Sequence, residues 1–455
     1  MQHLMPWRLR RIRDRMALWS MRFVPGIDTL RVADGEPAAS LLAVGDIALG
    51  DKVEAVANEH GPERILGPVR QMLEQSDLRV GNLESVLTSE DRPNGSLGTF
   101  LKASPQAVQV LAYGRFDALT VANNHCMDFG VSGLLESMSV LDNHGIQHCG
   151  GGASHAAARR PALLQTKGVE VAMLGYCDDY RPPRDPELQA GPAPACDDAI
   201  VEDIRDARGR ADIVIVQMHW GYEFGLYPLL THRVRARKFA EAGAALVLCH
   251  HAHVPMGIEV WGRSVIAHGL GNFIFPMSEY LRTGHPWTDR SFAVKVFFAK
   301  KGILRVEILP VQIRPDQSVA PLHGSERRQM VGAIRRLSSG LLDDKRLQSV
   351  EDDRMARQAL KYVEALTRRG HDPAYLQEMA QLFCAPSKRE VVAWLLRHRS
   401  RAAVELGSLL QMSMGAAGGL APRPSPEWQE GGVRQLVRQF TCDVPFGADP
   451  LGRTP

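Results

Sequence analysis

Five short apolar runs end in residues that bind cations or move protons. The run 41–49 passes through Gly45-Asp46, the run 77–84 ends in Asn82-Leu83-Glu84, and 118–125 ends in Asn123-Asn124-His125. Further along, 211–220 ends in His219-Trp220 and 245–253 ends in His250-His251-Ala252-His253. Carboxylates, amides and imidazoles gathered without thiolates suit borderline or hard divalent cations: Mn, Fe, Zn or Mg. Two such ions about 3.5–4 Å apart need roughly six ligands and a bridging carboxylate, and the set is large enough. A two-ion site activates water and clamps a charged transition state, so the chemistry it predicts is hydrolysis. On an extended segment His251 and His253 would point the same way and reach the same pair of ions. Without a cation, the same set would bury charges and imidazoles together at considerable cost.

Taken singly, each residue has a plainer reading. Asp46 could cap a turn, Glu84 could pair on the surface, and Asn123-Asn124 is a common turn pair. His219 alone fits a satisfied core histidine. Their recurrence at strand ends within one stretch favours a shared site.

The elements that would position them alternate. From about 40 to 313, apolar β-branched runs alternate with segments of helical periodicity such as 131–144 and 231–243. That pattern implies an α/β domain whose sheet is covered on both faces, with residues past the strands' carboxyl ends converging on one crevice. The run 264–275 reads as one strand, and 291–313 as a hairpin around Lys301-Gly302. The expected organisation is a basic N-terminal extension (1–39), the α/β domain (40–315), a C-terminal helical appendage (320–410), and a linker and tail (411–455). The appendage shows helical spacing at Met330, Ile334 and Leu337.

Composition narrows the function classes. The chain has 455 residues with 23% charged, a formal net charge of +3 and seven cysteines. That excludes whole-chain disorder and a disulfide scaffold, and gives no sign of nucleic-acid binding. No run of eighteen uncharged apolar residues reads as a transmembrane segment. The reading is a cytoplasmic protein. Six Arg among the first 22 residues leave open a peripheral attachment to an anionic membrane surface.

Six stretches together resemble the poly-γ-glutamate capsule biosynthesis (CapA-type) family, a branch of the calcineurin-like metallophosphoesterase superfamily. They are VGDIALG (44–50), DLRVGNLESVLT (77–88), FLKASPQAVQVLAYGRFDALTVANNHCMDFG (100–130), ADIVIVQMHWGYEF (211–224), LVLCHHAHVPMGIEVWGRSVI (246–266) and HGLGNFIF (268–275). The resemblance implies an α/β sandwich with a strand-end dimetal site. It implies two divalent ions held by Asp46, Glu84 (bridging), Asn124, His219, His251 and His253, with His125 as the catalytic acid. Lys102, Trp220, Tyr222 and Glu223 would line the substrate pocket, and Asn123, His250, His268 and Asn272 would support the ligands from behind. Where the wider superfamily has a histidine two residues after its first aspartate, this chain has Ala48. The implied function is a metal-dependent hydrolase acting on a small or polymeric anionic substrate, amide-linked in the γ-glutamyl manner or phosphorylated. The alternative is a non-catalytic assembly component of a polyglutamate synthesis machinery, docking a protein partner through its C-terminal helices.

Overall fold

The structure, a computed structural model, describes residues 22–23, 29–95, 99–178, 190–285 and 287–369. The basic stretch 1–21, the part of the helical appendage beyond 369, and the linker and tail lie outside the described residues. The chain divides into two compact units, Met1–Val350 and Glu351–Pro455. The site belongs to the first.

The alternation of runs and helices builds two sheets rather than one. The site-bearing strands are β1 (Ala39–Ile47), β2 (Leu78–Leu83), β3 (Ala118–Thr120), β4 (Ile213–His219), β5 (Leu246–His250) and β6 (Asn272–Ile274). In a ten-stranded sheet β1, β2 and β3 run parallel side by side, and β6 pairs parallel with β1. The hairpin read from the sequence forms as Arg290–Ala299 and Gly302–Ile313, its first strand antiparallel to β1. A strand at Thr29–Arg31 pairs with the hairpin's outer strand, so this sheet begins ahead of residue 39. In the second, six-stranded sheet, Val169–Cys177, β4 and β5 run parallel.

Strand alternation explains why these runs are apolar throughout. Side chains at successive positions point to opposite faces, and here both faces are covered. In β1, Leu41 and Ala43 join Val171, Met173, Ile215 and Leu248 in the core between the sheets. The intervening Leu42 and Val44 pack outward against Val53, Ile65, Leu66 and Leu111 of the covering helices. A fully buried leucine is worth about 1.5–3 kcal/mol, so a polar residue anywhere in this strand before Asp46 would be costly.

The run 264–275 is not one strand. Ser264–Ala267 lies in the second sheet and β6 lies in the first, so the chain crosses between sheets over residues 268–271. The crossing presses Gly271 against β1. A Cβ on Gly45 would lie 1.8 Å from the Gly271 carbonyl oxygen, which makes glycine obligatory there. Directly after it, the Asp46 N–H donates to that same oxygen at 3.0 Å.

Two helices matter for the site. α1 (Leu230–Ala242) fills the outer face of the second sheet with Ala236 and Phe239. α2 (Gly324–Gly340) buries Met330, Ile334 and Leu337, the spacing read from the sequence, and Ser338 Oγ accepts from the Ile258 N–H at 2.9 Å.

Candidate metal centre

The parallel strands of both sheets deliver their carboxyl ends to one buried place. One donor atom from each of Glu84, His219 and His251 lies within 4.8 Å of the other two, and the same holds for Asp46, Glu84 and His253. Glu84 is common to both groups. His219 Nε2 is 3.9 Å and His253 Nε2 3.6 Å from Glu84 Oε1. Asn124 joins through its Oδ1, 2.8 Å from His219 Nε2. All six expected ligands are therefore brought together.

The histidine pair arrives there by a route that strand alternation does not supply. β5 ends at His250, and the chain then turns with His251 at φ 86 and His253 at φ 56. The extended-segment argument is thus corrected: two left-handed residues aim these rings. Non-glycine residues in that region cost about 1–3 kcal/mol each and mark functional or tightly determined places.

Hydrogen bonds behind the cluster fix which atoms face it. Asn272 Nδ2 donates to the Thr288 carbonyl at 3.1 Å, so its Oδ1 faces His253 Nδ1 at 2.9 Å and accepts from it. The proton then sits on Nδ1, and Nε2 presents a lone pair toward Glu84, the tautomer a cation needs. Asp46 Oδ1 accepts from Asn82 Nδ2 at 2.9 Å and from His250 Nδ1 at 2.9 Å. His250 is steadied from its other side by Gln217 Oε1, 2.9 Å from Nε2. Asn123 donates to Asn82 Oδ1 at 3.1 Å and to the Leu83 carbonyl at 2.7 Å, pinning the turn that leads into Asn124.

Electrostatics separates the two carboxylates. Burial alone would push the Asp46 carboxyl up, but the His250 hydrogen bond and charge, with His253 and Asn82, hold it below its usual range. Glu84 is pushed well above its usual range by burial, then by the charges of Asp46, Glu223 and Asp128. Burial and the neighbouring histidines drive His219 well below the ordinary imidazole value. Neither oxygen of Glu84 has a hydrogen-bond partner, although the residue is fully buried. Buried carboxylates are ordinarily satisfied, and a pair of orphaned oxygens between imidazole nitrogens is what a cation site leaves when its charge is not counted. The residues fit the implied ions.

His125 lies at the cluster's margin, its side chain 12% exposed, with Nδ1 2.8 Å from Asp128 Oδ2. Asp128 is held in turn by the Leu101 N–H at 2.8 Å. Glu223 is exposed and near His251 and His253, and Tyr222 beside it is half-buried. Three expected pocket or support residues are engaged elsewhere. Trp220 is 4% exposed, stacks on His232 at 4.6 Å and carries the Arg235 guanidinium over its ring at 4.8 Å, so it belongs to the core under α1 rather than to a pocket face. The Lys102 ammonium pairs with Asp91 at 2.6 Å. His268 is buried 3.5 Å from Glu259, which pairs with Arg237 of α1, not with the ligands. Asn82 stands in the sequence reading only as part of the end of the run 77–84, with no role given, and Gln217 and Asp128 have none there. Asn82 and Asp128 had a signal, since Asn82 precedes Glu84 by two residues on the same strand face and Asp128 follows His125 by three.

Two apposed sheets with a donor cluster at their carboxyl ends make an α/β sandwich, the architecture that the resemblance to calcineurin-like metallophosphoesterases implies. More narrowly, the chain belongs to the bacterial capsule synthesis protein family PGA_cap, whose family model matches residues 40–277. It is 32% identical over 289 residues to the PGA biosynthesis protein CapA of Bacillus subtilis, covering 63% of this chain and 74% of that protein. It is 27% identical to the capsule biosynthesis protein CapA of Bacillus anthracis, over 60% of this chain and 67% of that one. A protein of Mycobacterium tuberculosis named as a probable polyglutamine synthesis accessory protein is 30% identical, over 44% of this chain and 56% of its own length. Among the described residues no helix is long and apolar enough to cross a membrane.

Proposed function

We propose that the chain is a divalent-metal-dependent hydrolase serving poly-γ-glutamate synthesis. Its substrate is anionic, amide-linked in the γ-glutamyl manner or phosphorylated. The observation that carries this reading is Glu84: a fully buried carboxylate with neither oxygen hydrogen-bonded, shared between two groups of donors. The synthesis context rests on the names of the Bacillus relatives.

Asp46, Glu84 and His253 would hold one ion, and Glu84, Asn124, His219 and His251 the other. Bound there, two ions supply Lewis acidity, water activation and neutralisation of a developing negative charge. The chain's own residues do the rest. Asn272, His250 and Asn82 hold the donors in place without reorganisation. Asp128 fixes the ring of His125 through Nδ1, leaving Nε2 to deliver a proton to a departing group.

The test is metal analysis of the purified protein, with turnover of a phosphodiester and of a γ-glutamyl peptide. The expected result is bound divalent metal and a hydrolysis rate that falls about 10²–10⁴-fold in His125→Ala. Asp46→Asn is expected to lose metal and activity together. A second reading, a non-catalytic accessory component, draws on the wording of the mycobacterial relative's name. Metal-free protein that restores polymer synthesis to a deletion strain would favour it and overturn the hydrolase.

A further inference from the structure

Glu223 stands on the solvent side of the donor cluster, on the loop 220–229 that follows β4. A carboxylate oxygen of Glu223 and a ring nitrogen from each of His251 and His253 lie within 4.8 Å of one another. The two buried donor groups are unequal beside it. Glu84, His219 and His251 gain a fourth donor in Asn124 Oδ1, whereas the group of Asp46, Glu84 and His253 counts three among the acidic, histidine and cysteine side chains of the described residues. Ala48, two residues beyond Asp46, packs with Leu101, Phe275 and Met277 and offers no donor from that wall. His253 belongs both to the three-donor group and to the group that includes Glu223.

We propose that Glu223 is the displaceable fourth ligand of the cation held by Asp46, Glu84 and His253, occupying the place that an anionic group of the substrate takes on binding. This rests on the metal reading above. Three observations support it. Tetrahedral cations such as zinc close a protein site with four donors, and catalytic sites keep one position exchangeable. Glu223 is exposed while Asp46 and Glu84 are fully buried, so it regains its hydration on release and the other two do not. Exchanging one carboxylate for a substrate carboxylate or phosphate also keeps the local charge balanced, so the swap is cheap.

The loop is built to keep Glu223 at this post. The Phe224 N–H donates to the Ala252 carbonyl, between the two histidines, at 2.8 Å. The Phe224 ring stacks on His285 at 3.8 Å and lies 6.1 Å from the His253 ring. Phe224 itself is at φ 61, a conformation rare for a bulky residue and retained only where the surroundings enforce it. The strain sits at the residue next to the carboxylate.

Calorimetric titration of full-length, metal-stripped protein with Mn²⁺ or Zn²⁺ tests this, comparing wild type with Glu223→Gln. The wild type is expected to take two ions. In the variant one of them binds about ten- to a hundredfold more weakly while the other keeps its affinity. Metal-loaded Glu223→Gln should also bind inorganic phosphate several-fold more tightly, because the competing carboxylate is gone. Unchanged affinities for both ions in a variant that melts like wild type would overturn the role of Glu223 alone. A wild type that takes up no ion would overturn the metal reading with it.

Discussion

Asp46 and Glu84 are both wholly buried carboxylates, yet their surroundings move them in opposite directions. Asp46 is answered by His250 and Asn82, and Glu84 by no hydrogen bond at all. In metal-free protein, the folded-state carboxyl of Glu84 holds its proton above the range where the unfolded chain releases it. Its contribution to stability is therefore full below the ordinary carboxylate range and is lost as pH rises toward the raised folded value. Glu84→Gln removes that loss. Metal-stripped Glu84→Gln should be more stable than metal-stripped wild type at pH 8, on the order of 1–3 kcal/mol, with the difference vanishing near pH 4. Denaturant titrations at the two pH values measure this, and a difference independent of pH would contradict it. The same variant should lose the stabilisation that Mn²⁺ gives the wild type. At this scale the stretches that carry the donors were legible because carboxylates, amides and imidazoles recur at strand ends, whereas the choice of Asn124 over Asn123 and of His251 and His253 over His250 came from the family resemblance. Gln217 was not, because a glutamine inside an apolar strand signals nothing until a histidine on the adjacent strand is seen to need it.

The element that most affects the site is the loop after β4, and it is gripped from two directions. On one side Phe224 ties to Ala252 and His285. On the other, Tyr227 lies against the last residue of α2, where a Cβ on Gly340 would stand 2.6 Å from the tyrosine ring, and Arg346 covers that ring at 4.7 Å. Arg233 of α1 is buried and hydrogen-bonds the Leu341 carbonyl and Asp344, fixing the end of α2. Gly340→Ala would gain up to about 1 kcal/mol of helix propensity and lose about 1–3 kcal/mol to overpacking against Tyr227, so the loss wins. The expected outcome is a lower melting temperature together with faster amide exchange over 221–229; slowed or unchanged exchange there would contradict the grip. Strand and helix positions were readable from periodicity, as 231–243 against Leu230–Ala242 shows. The left-handed turns at His251 and His253 were not, because histidine, though enriched among non-glycine residues at φ > 0, adopts that region at only a small share of positions. The break within 264–275 had a signal in His268, Gly269 and Gly271, but glycines inside an apolar run suggest a bulge as readily as a change of sheet.

Over the whole molecule, two sheets are pressed together so that donors scattered from Asp46 to His253 share one buried centre. The family match ends at residue 277, while the hairpin 290–313 and α2 continue the packed unit. The stretch with the clearest chemistry in sequence is thus completed by segments whose only signal was amphipathic spacing. Anomalous diffraction from crystals grown with manganese tests the central claim most directly. Two peaks flanking the Glu84 carboxylate, one toward Asp46 and His253 and the other toward His219, His251 and Asn124, are the predicted result. Well-ordered side chains at all six positions with no anomalous density between them, at saturating manganese and neutral pH, would contradict it.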